Sequence, residues 1–201
     1  MRSYLAAALI GYLFGTPNPS LMLSRVRGVD VTEGGSGNPG ATNTMVVMGL
    51  RFGLLVAFFD ISKAILAVRL CRRLFRTAQF AGAVGGVACV LGHVFPFYRH
   101  FRGGKGFAAY VGMILALDWR YVAYFIVPVI LVILVTDYFV SGTMATLASF
   151  PFYCAAVQLR VTAVLALVAS VIVLCKHHDN MIAIANGTER HVRRRHSSDS
   201  A

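Results

Sequence analysis

Charged residues are scarce in this chain. Only 13% of its 201 residues are Asp, Glu, Lys or Arg, and only eight are acidic. Hydrophobic residues make up 57%, and the mean hydropathy is +0.68, which excludes an ordinary soluble globular domain. We therefore predict an integral membrane protein.

Cysteine is rare as well and lacks the spacing of a disulfide framework or a metal site. No C-x-x-C pair occurs, and His, Cys and carboxylate residues show no recognised zinc-ligand spacing. We expect small buried hydrophobic cysteines and no metal ion or other cofactor. The four cysteines are Cys71, Cys89, Cys154 and Cys175.

Apolar stretches recur along the chain, and most approach the roughly 20 residues that a helix needs to cross a bilayer. The candidate spans are 3–24, 52–68, 77–98, 107–117, 121–136, 138–159 and 161–175. The fourth is short enough to be a tilted or re-entrant segment. The predicted fold class is all-α, a polytopic membrane protein with about seven transmembrane helices.

Three polar segments interrupt these spans, at 25–51, at 99–106 and from 176 to the C-terminus. Even numbers of predicted spans separate them, so all three are expected on one side of the membrane. Their basic residues favour the cytoplasm and place the N-terminus outside. Four arginines disagree with this orientation, because they fall on the predicted outer side: Arg69, Arg72, Arg73 and Arg76.

The net charge of +11 could indicate a nucleic-acid partner. On so apolar a chain, basic loops that face anionic lipid headgroups are the favoured explanation. We predict membrane lipids as partners and no nucleic acid. The basic residues at 190–201, which include Arg194 and Arg195, are predicted to form a flexible tail after a single domain at 1–189.

The first polar segment contains "GGSGNPGATN" at 34–43, which includes a formal G-x-G-x-x-G. A dinucleotide fold would place this pattern between a strand and a helix, but here it follows a membrane span. The glycines at 35, 37 and 40 can instead present backbone N–H groups to an anion. A flexible interfacial loop is the alternative. Side-chain donors come from Ser36, Asn38, Thr42 and Asn43.

The second segment contains "RGGKGF" at 102–107, in which Gly103, Gly104 and Gly106 surround Lys105. Permissive backbone beside a lone ammonium suits a phosphate that approaches closely. The pattern is not a nucleotide P-loop, because Gly106 occupies the position where Ser or Thr would bind Mg²⁺. His93, near the membrane boundary, has either a structural hydrogen bond or a chemical role.

The third segment reads "KHHDNMIAIANGTE" at 176–189. Lys176 and Asn180 share a face if the last helix continues through them. His177 could orient or deprotonate a hydroxyl group, although a cation at a helix end is the alternative. Asp60 and Lys63, three residues apart inside an apolar span, are predicted to form a structural ion pair.

Together the three segments resemble the PlsY family of bacterial acyl-phosphate:glycerol-3-phosphate acyltransferases. The matching stretches are 35–43 through Gly49, 92–108, and Lys176, His177, Asn180 and 187–189; Asp60 and Lys63 match a D-x-x-K pattern of the family. The resemblance implies a seven-helix enzyme that transfers an acyl group from acyl phosphate to the 1-hydroxyl of glycerol 3-phosphate. It implies no metal, no dissociable cofactor and no acyl-enzyme.

The resemblance also implies roles for individual residues. The catalytic residues would be Lys105, His177 and Asn180. Phosphate and substrate contacts would come from Ser36, Gly37, Asn38, Gly40, Thr42, Asn43, His93, Gly103, Gly104 and Gly106, with Glu189 bracing the site.

The chain departs from the family pattern at three positions. Val46 and Ala183 stand where the family has arginines, and Ala109 replaces a threonine. Apolar side chains cannot make the phosphate contacts of two guanidiniums, so the acceptor should bind more weakly. Arg51, Arg102 and Arg190 are the candidates to compensate for this loss. An acyltransferase with an altered acceptor, or a weakly active regulatory paralogue, is therefore the first alternative. A transporter of a phosphorylated small molecule is the second, but few charges line the last three spans.

Overall fold

The computed structural model describes residues 1–193, and within them the chain is helical and forms no β-strand. The α-helices are α1 (Arg2–Gly15), α2 (Pro19–Arg27), α3 (Ala41–Met48), α4 (Leu50–Leu74), α5 (Ala81–Val94), α6 (Phe107–Leu117), α7 (Trp119–Thr136), α8 (Phe139–Ala156), α9 (Arg160–Lys176) and α10 (His178–Ala185). A 3-10 helix covers Phe97–Arg99. The all-helical prediction is confirmed for the described residues.

The first predicted span is wrong as a single helix. α1 ends at Gly15, and α2 begins four residues later at Pro19. Pro17 and Pro19 lack the N–H groups that a continuous helix needs. Asn18 lies between them, and its Oδ1 accepts a hydrogen bond from the Leu21 N–H at 3.1 Å, which caps α2.

The other predicted spans correspond to helices α4 to α9, with ends that differ by a few residues. By length and apolar composition, three described helical segments could cross a membrane, namely 81–99, 119–136 and 139–156. A fourth qualifies if α9 and α10, which are bent by 54° relative to each other, form one broken span. α4 is long enough at 25 residues, but it carries several charged side chains.

The core lies between α4, α5, α6, α8 and α9. Tyr110, Met113 and Phe150 are its largest fully buried side chains. The Tyr110 hydroxyl lies 2.6 Å from Ser170 Oγ, so this buried polar group has a partner. In α7 only Tyr121 is fully buried, and the other apolar residues of the helix are half-buried or exposed, as expected of a helix with one face toward lipid.

α6 separates two ends of the bundle. Lys105 lies just before its first residue, whereas at its last turn Arg72 donates hydrogen bonds to the Ala116 and Leu117 carbonyls at 2.6 and 3.2 Å. A cation at these carbonyls complements the helix dipole. Arg72, one of the four arginines that disagreed with the predicted orientation, therefore has a structural function.

Candidate active site

The second and third polar segments meet at one end of the bundle. The Lys105 ammonium donates a hydrogen bond to Asn180 Oδ1. Asn180 Nδ2 in turn donates to both carboxylate oxygens of Glu189, at 3.1 and 3.0 Å. This arrangement confirms the prediction that these two segments converge, and it shows Glu189 bracing the asparagine.

The ammonium of Lys105 is half-buried and lies near both negative and positive side chains. Burial lowers the pKa of Lys105 below its ordinary value, while the negative charges of Glu189 and Asp179 act in the opposite direction. The ammonium is thus partly removed from water, with Glu189 and Asp179 as nearby negative charges. A poorly hydrated cation binds a phosphate more strongly than a fully solvated one.

His177 lies where α9 ends and α10 begins. Its side chain is buried, and Nδ1 lies 2.8 Å from the Val173 carbonyl, so Nδ1 carries the proton and Nε2 can accept one. Burial lowers the pKa of His177, and nearby Lys105 lowers it further. The imidazole is therefore neutral near pH 7.

The bend after His177 also decides the position of its neighbours. The helix does not continue straight through Lys176 and Asn180, since α10 is bent by 54° from α9. Lys176 points elsewhere, with its ammonium 5.8 Å from the centre of the Phe95 ring. Of Lys176 and Asn180, only Asn180 contacts Lys105.

The glycine turn before α6 is held by its own backbone. The Gly103 N–H donates to the Val94 carbonyl at 3.0 Å, and the Gly104 N–H donates to the His93 carbonyl at 3.2 Å. Those two amides are therefore occupied by the fold and do not point to a ligand. Gly106 follows with φ of +91° and begins α6. The turn positions Lys105 rather than forming a second anion cradle.

A buried polar cluster supports this turn from below. Lys63 Nζ lies 2.7 Å from Asp60 Oδ1 and 3.0 Å from His93 Nδ1, which confirms the predicted ion pair. Lys63 also donates to the Pro17 carbonyl at 2.8 Å. His93, assigned to substrate binding on the resemblance, lies beneath the turn and is 4% exposed. Through Lys63, this cluster connects α4 with His93 on α5 and with the break between α1 and α2.

Gly104 lies against the His93 ring, so it tolerates no side chain. A Cβ at Gly104 would collide with His93 Nε2 and lie 3.1 Å from Cε1. We expect Gly104→Ala to destabilise the protein by about 1 to 3 kcal/mol. The turn would also move, and turnover should fall about tenfold or more.

Thermal unfolding and initial rates of the purified variant measure both effects. If the ring causes the clash, Gly104→Ala combined with His93→Ala should lose less than the sum of the two single variants. Strict additivity of the two changes would contradict this explanation.

The glycine loop contains two residues with left-handed backbone. Gly35 and Gly37 have φ of +59° and +67°, in the left-handed region that side chains disfavour. Ser36 between them is exposed, as is Thr42 in the first turn of α3. Asn38 is half-buried, and its side chain lies over Gly40.

Asn43 holds the loop from inside. It is 3% exposed, its Oδ1 accepts from the Ser36 N–H at 2.8 Å, and its Nδ2 donates to the carbonyls of Val31 and Gly34 at 2.6 and 3.1 Å. Asn43 therefore orders the loop, and the Ser36 amide is already in use. The N–H groups of Gly37 and Gly40, predicted as anion donors, also bond within the loop, to the carbonyls of Gly34 and Asn38 at 3.0 and 2.8 Å. The Gly35 and Asn38 N–H groups and the hydroxyls of Ser36 and Thr42 are the groups that could bind an anion.

Four buried polar residues that the sequence analysis did not select anchor this loop to α2. Asn18 Nδ2 donates to the Pro39 carbonyl at 2.9 Å, and Ser20 Oγ lies 2.6 Å from Thr44 Oγ1. Ser24 Oγ accepts from the Val31 N–H at 3.3 Å. The Asn-Pro pair at 18–19 is a helix-start pattern, which signals that Asn18 caps α2 but not that it contacts Pro39.

The same region connects the first polar segment with the second. The Tyr98 hydroxyl donates to the Thr16 carbonyl at 2.7 Å, two residues before Asn18. The loop, the break between α1 and α2, and the turn at 95–106 are thus joined by direct contacts. The three positions that depart from the family pattern lie in different elements. Val46 is 45% exposed and borders Gly35, Ala183 is on α10 three residues after Asn180, and Ala109 is fully buried in α6.

Apolar helices that gather a lysine, a histidine, an amide and a glycine loop at one end define an integral membrane enzyme. The glycerol-3-phosphate acyltransferase family matches residues 5–187 of this chain. The chain belongs to that family, and it is an acyltransferase.

Relatives and solved structures agree with this assignment. Glycerol-3-phosphate acyltransferases of Legionella pneumophila (strain Corby) and Geobacter sulfurreducens are each 34% identical; the alignments cover 98% and 94% of this chain and 72% and 97% of the relatives. The crystal structure of the integral membrane glycerol 3-phosphate acyltransferase PlsY in its glycerol 3-phosphate form matches with a TM-score of 0.87 and 26% identity. That match covers 94% of this chain and 95% of the other. The lysophosphatidic acid form of PlsY matches with a TM-score of 0.84.

Proposed function

We propose that this protein transfers a fatty acyl group from acyl phosphate to the 1-hydroxyl of glycerol 3-phosphate. The products are lysophosphatidic acid and inorganic phosphate. The contact between Lys105, Asn180 and Glu189 carries this proposal, because it fixes a partly desolvated cation next to a neutral histidine. Two phosphorylated substrates need a fixed positive charge between them, and the acyl phosphate is already activated.

The reaction then needs positioning more than covalent catalysis. The hydroxyl oxygen of the acceptor attacks the acyl carbonyl carbon, the bond from that carbon to the phosphate oxygen breaks, and the hydroxyl proton ends on the released phosphate. Lys105 neutralises phosphate charge, while His177 and Asn180 orient the acceptor hydroxyl. The loop at 35–43 binds a second phosphate through its free N–H groups and the hydroxyls of Ser36 and Thr42.

An apolar cavity that includes the first residue of α6 in its wall supports a fatty acyl donor. It has a volume of about 290 Å³ and lies between α6, α7 and α8. Phe107, two residues after Lys105, is at its wall, and Ile114, Phe125 and Ile133 continue the lining. An acyl chain in this slot would bring its activated carbonyl toward the ammonium while the hydrocarbon stays out of water.

We infer a topology of seven crossings in a bacterial membrane, with the site in the cytoplasm and the N-terminus outside. Residues 1–189 form the acyltransferase domain in this proposal. The outcome of a labelling experiment decides the orientation. In a Cys175→Ser background, His178→Cys should react with a membrane-impermeant maleimide only after cells are permeabilised, whereas Arg76→Cys should react in intact cells. The reverse pattern would place the site outside.

One assay tests the proposed reaction. Purified protein is incubated with palmitoyl phosphate and glycerol 3-phosphate, without added metal or acyl-CoA, and phosphate release is measured. Release that depends on the acceptor supports the proposal. Release without the acceptor, or no release, favours the enzyme with an altered acceptor, which Val46 and Ala183 would explain.

The pH dependence of kcat/KM should follow the two perturbed groups. Activity needs neutral His177 and charged Lys105. Because burial lowers both pKa values, the acid limb should lie below 6.5 and the alkaline limb below 10.5. Activity is lost as pH falls through the first pKa or rises through the second.

A single variant checks the assignment of the alkaline limb. Glu189 raises the pKa of Lys105, so Glu189→Gln should move that limb to lower pH. An alkaline limb that stays in place in this variant would show that another group titrates.

A further inference from the structure

The chain after Glu189 is fastened to the turn between α7 and α8. Asp137 in this turn contacts three consecutive residues: its Oδ2 lies 3.0 Å from His191 Nδ1, its carbonyl accepts from the Val192 N–H at 2.9 Å, and its Oδ1 accepts from the Arg193 N–H at 2.9 Å. We call residues 191–193 the strap.

Two further contacts strengthen this attachment. The rings of His191 and Tyr138 stack with their centres 4.8 Å apart, and the two residues form an isolated antiparallel bridge. The Arg193 guanidinium donates to the Leu134 carbonyl at the end of α7. The flexible tail that the sequence predicted from residue 190 onward is thus attached at 191–193, while Arg194 and Arg195 lie outside the described residues.

The strap lies two residues after Glu189, and Glu189 holds Asn180. α10, which carries Asn180, is only eight residues long and has no buried residue, so core packing does not fix its orientation. Residues 188 and 189 move with the end of α10, because the Thr188 and Glu189 N–H groups both donate to the Ala183 carbonyl of that helix, at 2.8 and 3.1 Å. The strap, two residues later, attaches this unit to the turn between α7 and α8.

We propose that Asp137 is a positioning residue, which holds the strap and thereby keeps Glu189, Asn180 and Lys105 in register for acyl transfer. The proposal rests on the proposed function for its catalytic readout. The path runs from Asp137 through the strap to Glu189, then through Asn180 to the ammonium. The backbone N–H of Arg193 also lowers the pKa of Asp137, so the carboxylate is ionised near pH 7.

The effect on catalysis follows from the precision that positioning needs. Displacement of a catalytic group by about 1 Å can reduce the rate by about 100-fold. Asp137→Ala should therefore reduce kcat about tenfold, with a smaller change in the KM for acyl phosphate. Asp137→Asn retains an oxygen that can accept from the Arg193 N–H and should recover part of that loss. His191→Ala should add little to Asp137→Ala, because both remove the same attachment.

Asp118 provides a matched control at the opposite end of α7. It caps that helix and contacts Arg120 and the Tyr153 hydroxyl, both at 2.9 Å, far from the strap. Asp118→Asn should lower the thermal midpoint without the loss of kcat. If Asp118→Asn and Asp137→Ala reduce kcat equally, general destabilisation explains the result and the proposal is overturned.

Amide hydrogen exchange makes the test independent of turnover. Asp137→Ala should speed exchange at Val192 and Arg193, and also at Thr188 and Glu189. Faster exchange with unchanged kcat overturns the positioning role, and so does unchanged exchange at 188–193. If wild-type protein shows no acyl transfer at all, the proposed function fails, and coupled exchange at 188–189 still decides whether Asp137 orders that segment.

Discussion

Lys105→Ala should reduce acyl transfer about 1,000-fold, the largest effect we expect of any single change in this protein. Asn180 accepts a hydrogen bond from the ammonium and is itself held by Glu189. Removal of a single fixed donor from a charge-stabilising site typically reduces kcat by about 100- to 1,000-fold. Initial rates of phosphate release with palmitoyl phosphate and glycerol 3-phosphate measure the loss.

Lys176→Ala is the matched control for this change. It removes another lysine from the same end of the molecule, but one whose ammonium lies over the Phe95 ring instead of against Asn180. We expect less than a tenfold effect there, since such a contact contributes about 0.5 to 1 kcal/mol at exposed sites. Equal losses in both variants would mean that only the overall positive charge matters, and the specific role of Lys105 would be wrong.

Val46→Arg should improve the enzyme for its acceptor. Val46 is exposed beside Gly35, so a longer side chain at this position can extend over the glycine loop without entering the core. A hydrogen bond to a charged group contributes about 1.5 to 3 kcal/mol, and we therefore expect the KM for glycerol 3-phosphate to fall about tenfold or more. Because the donor site is untouched, the KM for acyl phosphate should change little.

Val46→Gln separates the charge from the size of the new side chain. It has a long polar chain without a guanidinium, so it should give at most a small part of the improvement. Ala183→Arg, on α10 near Asn180, tests the second departure in the same way. A raised KM for glycerol 3-phosphate in Val46→Arg would show that an arginine here obstructs the acceptor, which favours an altered acceptor for this protein. Arg51, Arg102 and Arg190, the candidates to compensate, are all exposed.

The sequence allowed prediction of the parts of the site that depend on residue type. Lys105 between glycines and the Asn180 to Glu189 stretch were identified from their motifs, and the structure joins them. The sequence did not allow prediction of which backbone N–H groups bond within the fold and which stay free for a ligand. Gly103 and Gly104 looked like phosphate donors, but their N–H groups pair with carbonyls at 93 and 94. Asn43 looked like a ligand donor, yet all its amide atoms serve the loop.

The missed features share a physical cause. Each missed residue contacts a partner far along the chain. Asn18 contacts Pro39, 21 residues away, and Thr44 contacts Ser20, 24 residues away. Asp137 contacts His191, 54 residues away. No local periodicity encodes such contacts. The helix break after Gly15 is different, because Pro17, Asn18 and Pro19 are a local signal for it. It was missed because the whole stretch at 3–24 is apolar enough to resemble one membrane span.

The sequence by itself determined that this is an apolar, helical membrane protein with three polar segments and the motifs of an acyltransferase, because hydropathy and backbone permissiveness are properties of the residues themselves. Only the tertiary structure decided which polar atoms remain free for substrates. That depends on partners brought together from distant parts of the chain, and a buried polar group bonds to whichever partner the fold places within reach.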